Sequence, residues 1–238
     1  MTIPRIKFPF YGIIIVLSIA IGIFYIYYNL KKTGHKDKQI LLYFLMYITF
    51  AFICGKMYTV LIYGETNLLT AGLSAYGGLV GVVIASIIFE KILPTDKQII
   101  KYTILSLPLV YGLTKIACFI SGCCGGIPYN GVFKVKYIEV LNIWQFPIQI
   151  TETIVFLLIF IMCHLLSKKK NTDYIVLILV SIFKFMLDFL RYEHTKIFIT
   201  RNQIFSLILL IIAIMTYVIT RKKKTIKASI SCHNNTQQ

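Results

Sequence analysis

Phe10-Tyr11-Gly12-Ile13-Ile14-Ile15-Val16-Leu17-Ser18-Ile19-Ala20-Ile21-Gly22-Ile23-Phe24-Tyr25-Ile26-Tyr27-Tyr28-Asn29-Leu30 is a run of 21 residues without one charged side chain. A bilayer-spanning helix needs roughly 20 mostly apolar residues, so the run reads as a membrane span. It is no cleaved leader. Its apolar stretch is too long, and Ile23-Phe24-Tyr25-Ile26-Tyr27 offers no small-residue cleavage site. Six more runs follow, at 38–63, 71–92, 99–121, 147–167, 173–192 and 203–220. With 10–30 they predict an all-α integral membrane protein of seven transmembrane helices, one polytopic domain over 1–238. An outer loop, 122–146, and a basic tail, 221–238, remain. Composition agrees. The chain is 58% hydrophobic and 14% charged, where soluble domains carry about 25% charged residues. That excludes a soluble domain, and the apolar and aromatic content excludes disorder.

The net charge of +16 would in a soluble protein prompt a nucleic-acid reading. In a membrane chain, Lys and Arg on short inner loops explain it more simply, and no nucleic-acid partner is expected. With the N-terminus outside, the inner segments hold Lys31, Lys32, Lys36, Lys38, Lys91, Lys97, Lys101, Lys168, Lys169, Lys170 and the tail's Arg221, Lys222, Lys223, Lys224 and Lys227. That is 15 basic residues, against seven on the outer segments. The bias selects N-terminus outside and C-terminus cytoplasmic.

Five charges fall inside spans: Lys56, Lys115, Glu152, Lys184 and Asp188. A charge at mid-membrane costs about 2.5–3.5 kcal/mol on insertion scales, so such residues are functional candidates by default. Lys56 lies about 10 Å below the outer end of its span at 1.5 Å per residue. The others also sit in the outer halves of theirs, which predicts one cavity open to the outer leaflet. The five sum to a net +1, and Arg191 at the rim makes it +2. That charge suits a lipid phosphate. Lys184, Asp188 and Arg191 stand at i, i+4 and i+7 and would share one helix face; Gln149 and Glu152 stand at i and i+3.

Two glycine-rich stretches lie at outer span ends. Tyr76-Gly77-Gly78-Leu79-Val80-Gly81 would let a neighbouring helix or a ligand approach closely. Thr114-Lys115-Ile116-Ala117-Cys118-Phe119-Ile120-Ser121-Gly122-Cys123-Cys124-Gly125-Gly126 ends the fourth span, and its glycines would make a turn or free backbone N–H groups for an anion. Pro147-Ile148-Gln149-Ile150-Thr151-Glu152 follows. Then come Lys184-Phe185-Met186-Leu187-Asp188-Phe189-Leu190-Arg191 and Asn202-Gln203.

In order and spacing, from about residue 50 to 220, these motifs resemble the prolipoprotein diacylglyceryl transferase family. The family also has seven spans with the N-terminus outside. Against its pattern, Tyr76 replaces a histidine. Lys115, Lys184 and Lys56 replace arginines, and Cys118, Ser121 and Cys123 replace Asn, Asn and Glu. Lysine keeps the charge and loses the bidentate fork. A protonated tyrosine is a poor general base at neutral pH.

The resemblance implies transfer of a diacylglyceryl group from phosphatidylglycerol to the cysteine thiol of a lipoprotein precursor's signal peptide, forming a thioether in the bacterial plasma membrane, with the active site facing the outer leaflet. It implies catalytic roles for Tyr76, Lys115 and Lys184. It implies substrate binding by Lys56, Gly77, Gly78, Cys118, Ser121, Cys123, Gln149, Glu152, Asp188, Arg191 and Gln203. No cofactor is expected. The partners implied are phosphatidylglycerol, the signal peptide and the bilayer. The alternatives are a non-enzymatic lipid or anion binder or transporter on the same scaffold, or a related transferase with another thiol acceptor.

Six cysteines are present. Cys54, Cys163 and Cys232 are ordinary apolar or reduced thiols. Cys118, Cys123 and Cys124 cluster at the outer face, where a disulfide is an option. Their expected role is to shape the headgroup pocket. No histidine stands at recognised ligand spacing, so no metal is assigned. His194 is expected as an exposed rim residue.

The inferred orientation makes a prediction. A cysteine placed at Asn67 labels with an impermeant thiol reagent from outside, and one at Asn171 does not. The reverse pattern would invert the topology.

Overall fold

The computed structural model describes residues 2–3, 10–64, 74–93, 98–137, 141–169 and 171–235. Asn67 and several counted basic residues, Lys97 and Lys170 among them, lie outside these. Seven α-helices are described: α1 (Phe10–Lys32), α2 (Asp37–Tyr63), α3 (Ala75–Ile92), α4 (Gln98–Ser121), α5 (Ile148–Leu165), α6 (Thr172–Asp188) and α7 (Arg201–Asn235). One falls at each expected span. Among the described residues, five stretches are long and apolar enough to cross a membrane: Phe10–Lys32, Asp37–Ile62, Gln98–Ser121, Ile148–Leu165 and Arg201–Arg221. α3 and α6 are not among them. Large apolar side chains face outward on the long helices, as at Val16 (66% exposed) and Phe24 (68%) on α1. Apolar exteriors of this extent belong in lipid, and the protein is a membrane protein.

The all-α expectation gives way in one place. The segment between α4 and α5 carries a sheet in which β2 (Val135–Tyr137) pairs antiparallel with β3 (Leu141–Gln145) and parallel with β1 (Thr2–Ile3). Val135 faces Gln145 and Lys136 faces Trp144. The alternation Val135-Lys136-Tyr137 drives it: Val135 and Tyr137 point inward and are buried. The Tyr137 hydroxyl donates to the Phe119 carbonyl at 2.8 Å, tying the sheet to the C-terminal end of α4.

The chain divides into two compact units. One spans Ala20–Leu107, the other Met1–Ile19 with Pro108–Gln238.

In the first unit, α1 ends where Gly34 takes φ 87°, a conformation that costs a glycine little. The Lys36 N–H then donates to Gln39 Oε1 at 3.2 Å, capping the start of α2. The core joins Ile26, Leu30, Ile40, Tyr43, Tyr47, Val82, Phe89 and Ile99. The buried Tyr43 hydroxyl is satisfied by Ser86 at 2.9 Å and Thr103 at 2.5 Å, as a polar group away from water requires. α3 lies directly on α2. A Cβ on Gly77 would meet the Cys54 carbonyl and Tyr58, and one on Gly81 would meet the Phe50 backbone. Here the glycines serve helix contact, one turn apart on one face. Gly78 differs, with only the Ala51 carbonyl at 3.7 Å.

In the second unit, Gly112 lets α4 approach α5. The Thr153 hydroxyl donates to its carbonyl at 3.1 Å. α6 packs on both α5 and α7.

The glycine contacts make a prediction. Gly81→Ala overpacks the α2–α3 contact and lowers stability by about 1–3 kcal/mol, whereas Gly78→Ala is tolerated. Thermal unfolding in detergent reads both. Equal midpoints for the two variants would contradict the packing role.

Candidate active site

The second unit gathers its charges around Glu152, whose side chain is fully buried. Glu152 is one turn from the start of α5, which Pro147 opens. Lys115 comes from α4, Lys184 and Asp188 from α6, and Arg191 from the turn beyond. The Lys184 ammonium donates to Glu152 Oε1 at 2.8 Å, and Lys115 Nζ lies 3.2 Å from Oε2. Arg191 Nη2 reaches both oxygens, at 2.9 and 3.0 Å. The Tyr111 hydroxyl adds a bond to Oε1 at 3.1 Å. Its ring lies under both lysines, 4.8 Å from Lys115 Nζ and 5.3 Å from Lys184 Nζ. Asp188 forms the second node, with Lys184 Nζ at 3.6 Å and Arg191 Nε at 3.1 Å. Three cations therefore meet two carboxylates, leaving one positive charge in surplus.

The expectation that Lys184, Asp188 and Arg191 share a helix face is corrected in part. α6 stops at Asp188. Phe189, Leu190 and Arg191 donate to carbonyls three residues back, tightening the chain. Arg191 itself is extended, at φ −88° and ψ 149°. It joins the cluster because a strap holds it. Gly126 bridges Arg191, Ile127 N–H donates to the Leu190 carbonyl at 3.0 Å, and Tyr192 N–H donates to that of Gly125 at 3.0 Å. Gly126 is required, since a Cβ there would strike the Phe146 backbone carbonyl, while one on Gly125 would push the end of the Gln145 side chain aside.

The same turn gathers the cysteines. Gly122 (φ 70°) and Cys124 (φ 56°) reverse the chain after α4. The sulfurs of Cys118, Cys123 and Cys124 lie within 4.8 Å of one another. Ser121 donates to Cys123 Sγ at 3.3 Å, and Gln149 Nε2 to the Cys123 carbonyl at 2.7 Å. The Cys124 thiol is held far below the usual thiol range by hydrogen bonds from Cys118 and Cys123, with Lys115 and Arg191 adding to the effect.

Two participants, Tyr111 and Thr200, were not singled out from sequence. Tyr111 stands one turn before Lys115 on the same face. Thr200 donates its hydroxyl to Asp188 Oδ2 while capping α7. Gln203 N–H reaches the Thr200 hydroxyl at 3.2 Å, and Thr200 N–H reaches Gln203 Oε1 at 3.1 Å. Thr200-x-x-Gln203 is a capping-box pattern that reading the chain for helix starts would have flagged. His194, expected to be exposed, turns inward. Its Nε2 lies 3.9 Å from Asp188 Oδ2, and its ring 4.9 Å from that of Phe189. Apolar stacking and the facing carboxylate are the reason.

Gln149 Oε1 and Gln203 Nε2 are buried without a hydrogen-bond partner among the described residues. Of the other expected site residues, Lys56, Tyr76, Gly77 and Gly78 belong to the first unit. Tyr76 opens α3 with its ring 6.4 Å from that of Tyr58. Lys56 Nζ lies 5.7 Å from the Phe52 ring.

Residues 1–219 match the family model for prolipoprotein diacylglyceryl transferase. The chain belongs to this family. Three relatives are each named phosphatidylglycerol–prolipoprotein diacylglyceryl transferase. That of Clostridioides difficile (strain 630) is 27% identical, over 93% of this chain and 94% of its own. That of Clostridium tetani (strain Massachusetts / E88) is 24% identical, over 90% and 94%. That of Staphylococcus haemolyticus (strain JCSC1435) is 28% identical, over 93% and 87%. As a member of the prolipoprotein diacylglyceryl transferase family, the chain is a transferase.

The burial of Glu152 makes a prediction for this transferase. Glu152→Gln leaves three buried cations around one remaining carboxylate. Removing a partner from a buried ion pair costs about 3–5 kcal/mol. A large drop in the unfolding midpoint in detergent is expected, and an unchanged midpoint would show that the ion network does not hold the helices.

Proposed function

We propose that the protein transfers the diacylglyceryl group of phosphatidylglycerol to the cysteine thiol of a lipoprotein precursor's signal peptide. In this reading seven helices cross the bacterial plasma membrane as a single polytopic domain. The N-terminus is outside, the C-terminus is cytoplasmic, and the site faces the outer leaflet. The observation that carries it is the buried cluster in which Lys115, Lys184 and Arg191 outnumber Glu152 and Asp188. A cluster one charge positive attracts a single phosphodiester. The self-paired carboxylates keep its cations ionised and aimed while no lipid is bound.

The acceptor's thiolate attacks the glyceryl carbon attached to the phosphate. A carbon–sulfur bond forms and the carbon–oxygen bond breaks. Glycerol phosphate departs with the electron pair, and the thiol's proton is released. Negative charge grows on the leaving phosphate, so fixed cations stabilise the transition state more than the bound lipid. Lys115 and Lys184 serve there, with Lys56 in support. Glu152, Asp188 and Gln149 orient them, and Tyr76 contacts substrate through its hydroxyl. The unpartnered Gln203 Nε2 is a donor for a lipid oxygen.

Purified protein, labelled phosphatidylglycerol and a lipobox peptide test the reading directly. Labelled peptide is expected. Lipid binding without transfer would favour a non-enzymatic binder. Lys115→Met and Lys184→Met each lower the rate by about 10²–10³, the usual effect of removing one donor to a developing anion. Lys115→Arg retains activity. Near-normal transfer in both Met variants would remove these lysines from the chemistry. Tyr76→Phe lowers transfer at least tenfold, about 1.4 kcal/mol; a silent change would leave Tyr76 a packing role only.

A further inference from the structure

The cysteine cluster is not used by the transfer chemistry above, yet its three sulfurs are held together by a tightly built turn. Three thiols from a seven-residue stretch converge, each within 4.8 Å of the other two. The backbone takes an uncommon route to achieve this. Cys124 adopts φ 56°, which a side chain with a Cβ holds only where its surroundings demand it. The turn is fixed from several sides. Gln149 holds the Cys123 carbonyl, Ser121 donates to Cys123 Sγ, and Gly125 and Gly126 are strapped to the segment after α6. Cys118 is buried, Cys123 half-buried and Cys124 exposed. The cluster therefore has a closed base and an open mouth.

We propose that Cys118, Cys123 and Cys124 bind a thiophilic divalent cation, Zn²⁺, through three thiolates, with the fourth coordination position open at the exposed Cys124 side. This departs from the sequence reading, which assigned no metal for want of histidine. Zn–S bonds of about 2.3 Å set tetrahedral sulfurs about 3.8 Å apart, so a contraction of about 1 Å in the widest separation completes the set. Three thiolates and Zn²⁺ carry a net −1. Lys115 and Arg191 act electrostatically on this cluster, and the ion network they belong to has one positive charge in surplus. The two neutralise each other. A disulfide would engage two of these sulfurs and strand the third.

Three protein ligands with an exchangeable fourth is the arrangement of reactive zinc sites. On the reading under Proposed function, the acceptor substrate is itself a thiol. Entering the fourth position, it would form a fourth Zn–S bond, release its proton to water and be held as thiolate. The site would thereby supply the deprotonation for which Tyr76 is poorly suited.

The whole protein, purified under reductant in detergent, is equilibrated with Zn²⁺ and its metal content measured. A parallel sample is titrated with Co²⁺ and read by its thiolate-to-metal charge-transfer absorption. One ion per chain and the absorption band are expected. The triple variant Cys118→Ser, Cys123→Ser, Cys124→Ser should bind none while keeping the wild-type elution profile, and Cys54→Ser should bind one. Should the triple variant fail to elute as wild type, the Co²⁺ band of the native protein decides. No band, an undiminished ion count in a folded triple variant, or a mass deficit matching a disulfide formed despite reductant would overturn the site. A cysteine peptide should shift the cobalt spectrum and its serine analogue should not; no shift would overturn the role of the fourth position. Metal content and spectra need no lipid transfer, so failure of the transfer assay alone leaves the site standing and overturns only the proposed reaction.

Discussion

A single carboxylate with no access to water organises one half of this protein. Glu152 lies on α5 and is met by Lys115 of α4, Lys184 of α6 and Arg191 of the segment beyond. A charge in an apolar slab is tolerated only when paired, so each of these elements is bound to the others through it. Charge pairing is directional where apolar packing is not. The elements could slide against one another at little packing cost, but Arg191 meets both oxygens of Glu152 through Nη2, with Nε facing Asp188, at one position. The geometry of the whole cluster therefore descends from one residue.

Around that centre the backbone does as much as the side chains. Arg191 lies past the end of its helix. It reaches the cluster because the chain at Gly125 and Gly126 runs close enough to bridge it. The glycines of the signature stretch thus act at a distance from their own position: they admit a strand-like contact that aims an arginine. In the other unit the glycines of α3 do the equivalent for a helix pair, where Gly77 and Gly81 lie on the backbone of α2.

Most of the architecture was legible before any coordinates. Apolar run length marked six helices to within about four residues, because hydrophobic thickness is a one-dimensional constraint readable from the chain; α7 runs on through the basic tail to Asn235, past its expected end at 220. Charges inside those runs pointed to Lys115, Glu152, Lys184 and Asp188, because such residues are expensive enough to need a reason. What periodicity missed was where a helix stops. Arg191 fits a helical face by counting, yet three short-range hydrogen bonds end α6 before it. Tyr111 and Thr200 were missed for another reason. Neither carries charge, and tyrosine and threonine are unremarkable in spans and at helix ends. His194 looked like a rim residue because its stacking partner, Phe189, and its facing carboxylate are visible only once the chain has turned. The strands between α4 and α5 were too short for their alternation to stand out.

The hydroxyl of Thr200 joins Asp188 to the first turn of α7. The aligned peptide groups of a long helix place about half a positive charge at its N-terminus, and Asp188 is tethered there. Part of the field felt by an anion in this cluster is then carried by main chain. It has no pKa and cannot be removed by replacing a lysine or an arginine. Lysine and arginine at this cluster, Lys115 and Lys184 included, therefore act against a background of positive potential that every amino-acid choice inherits.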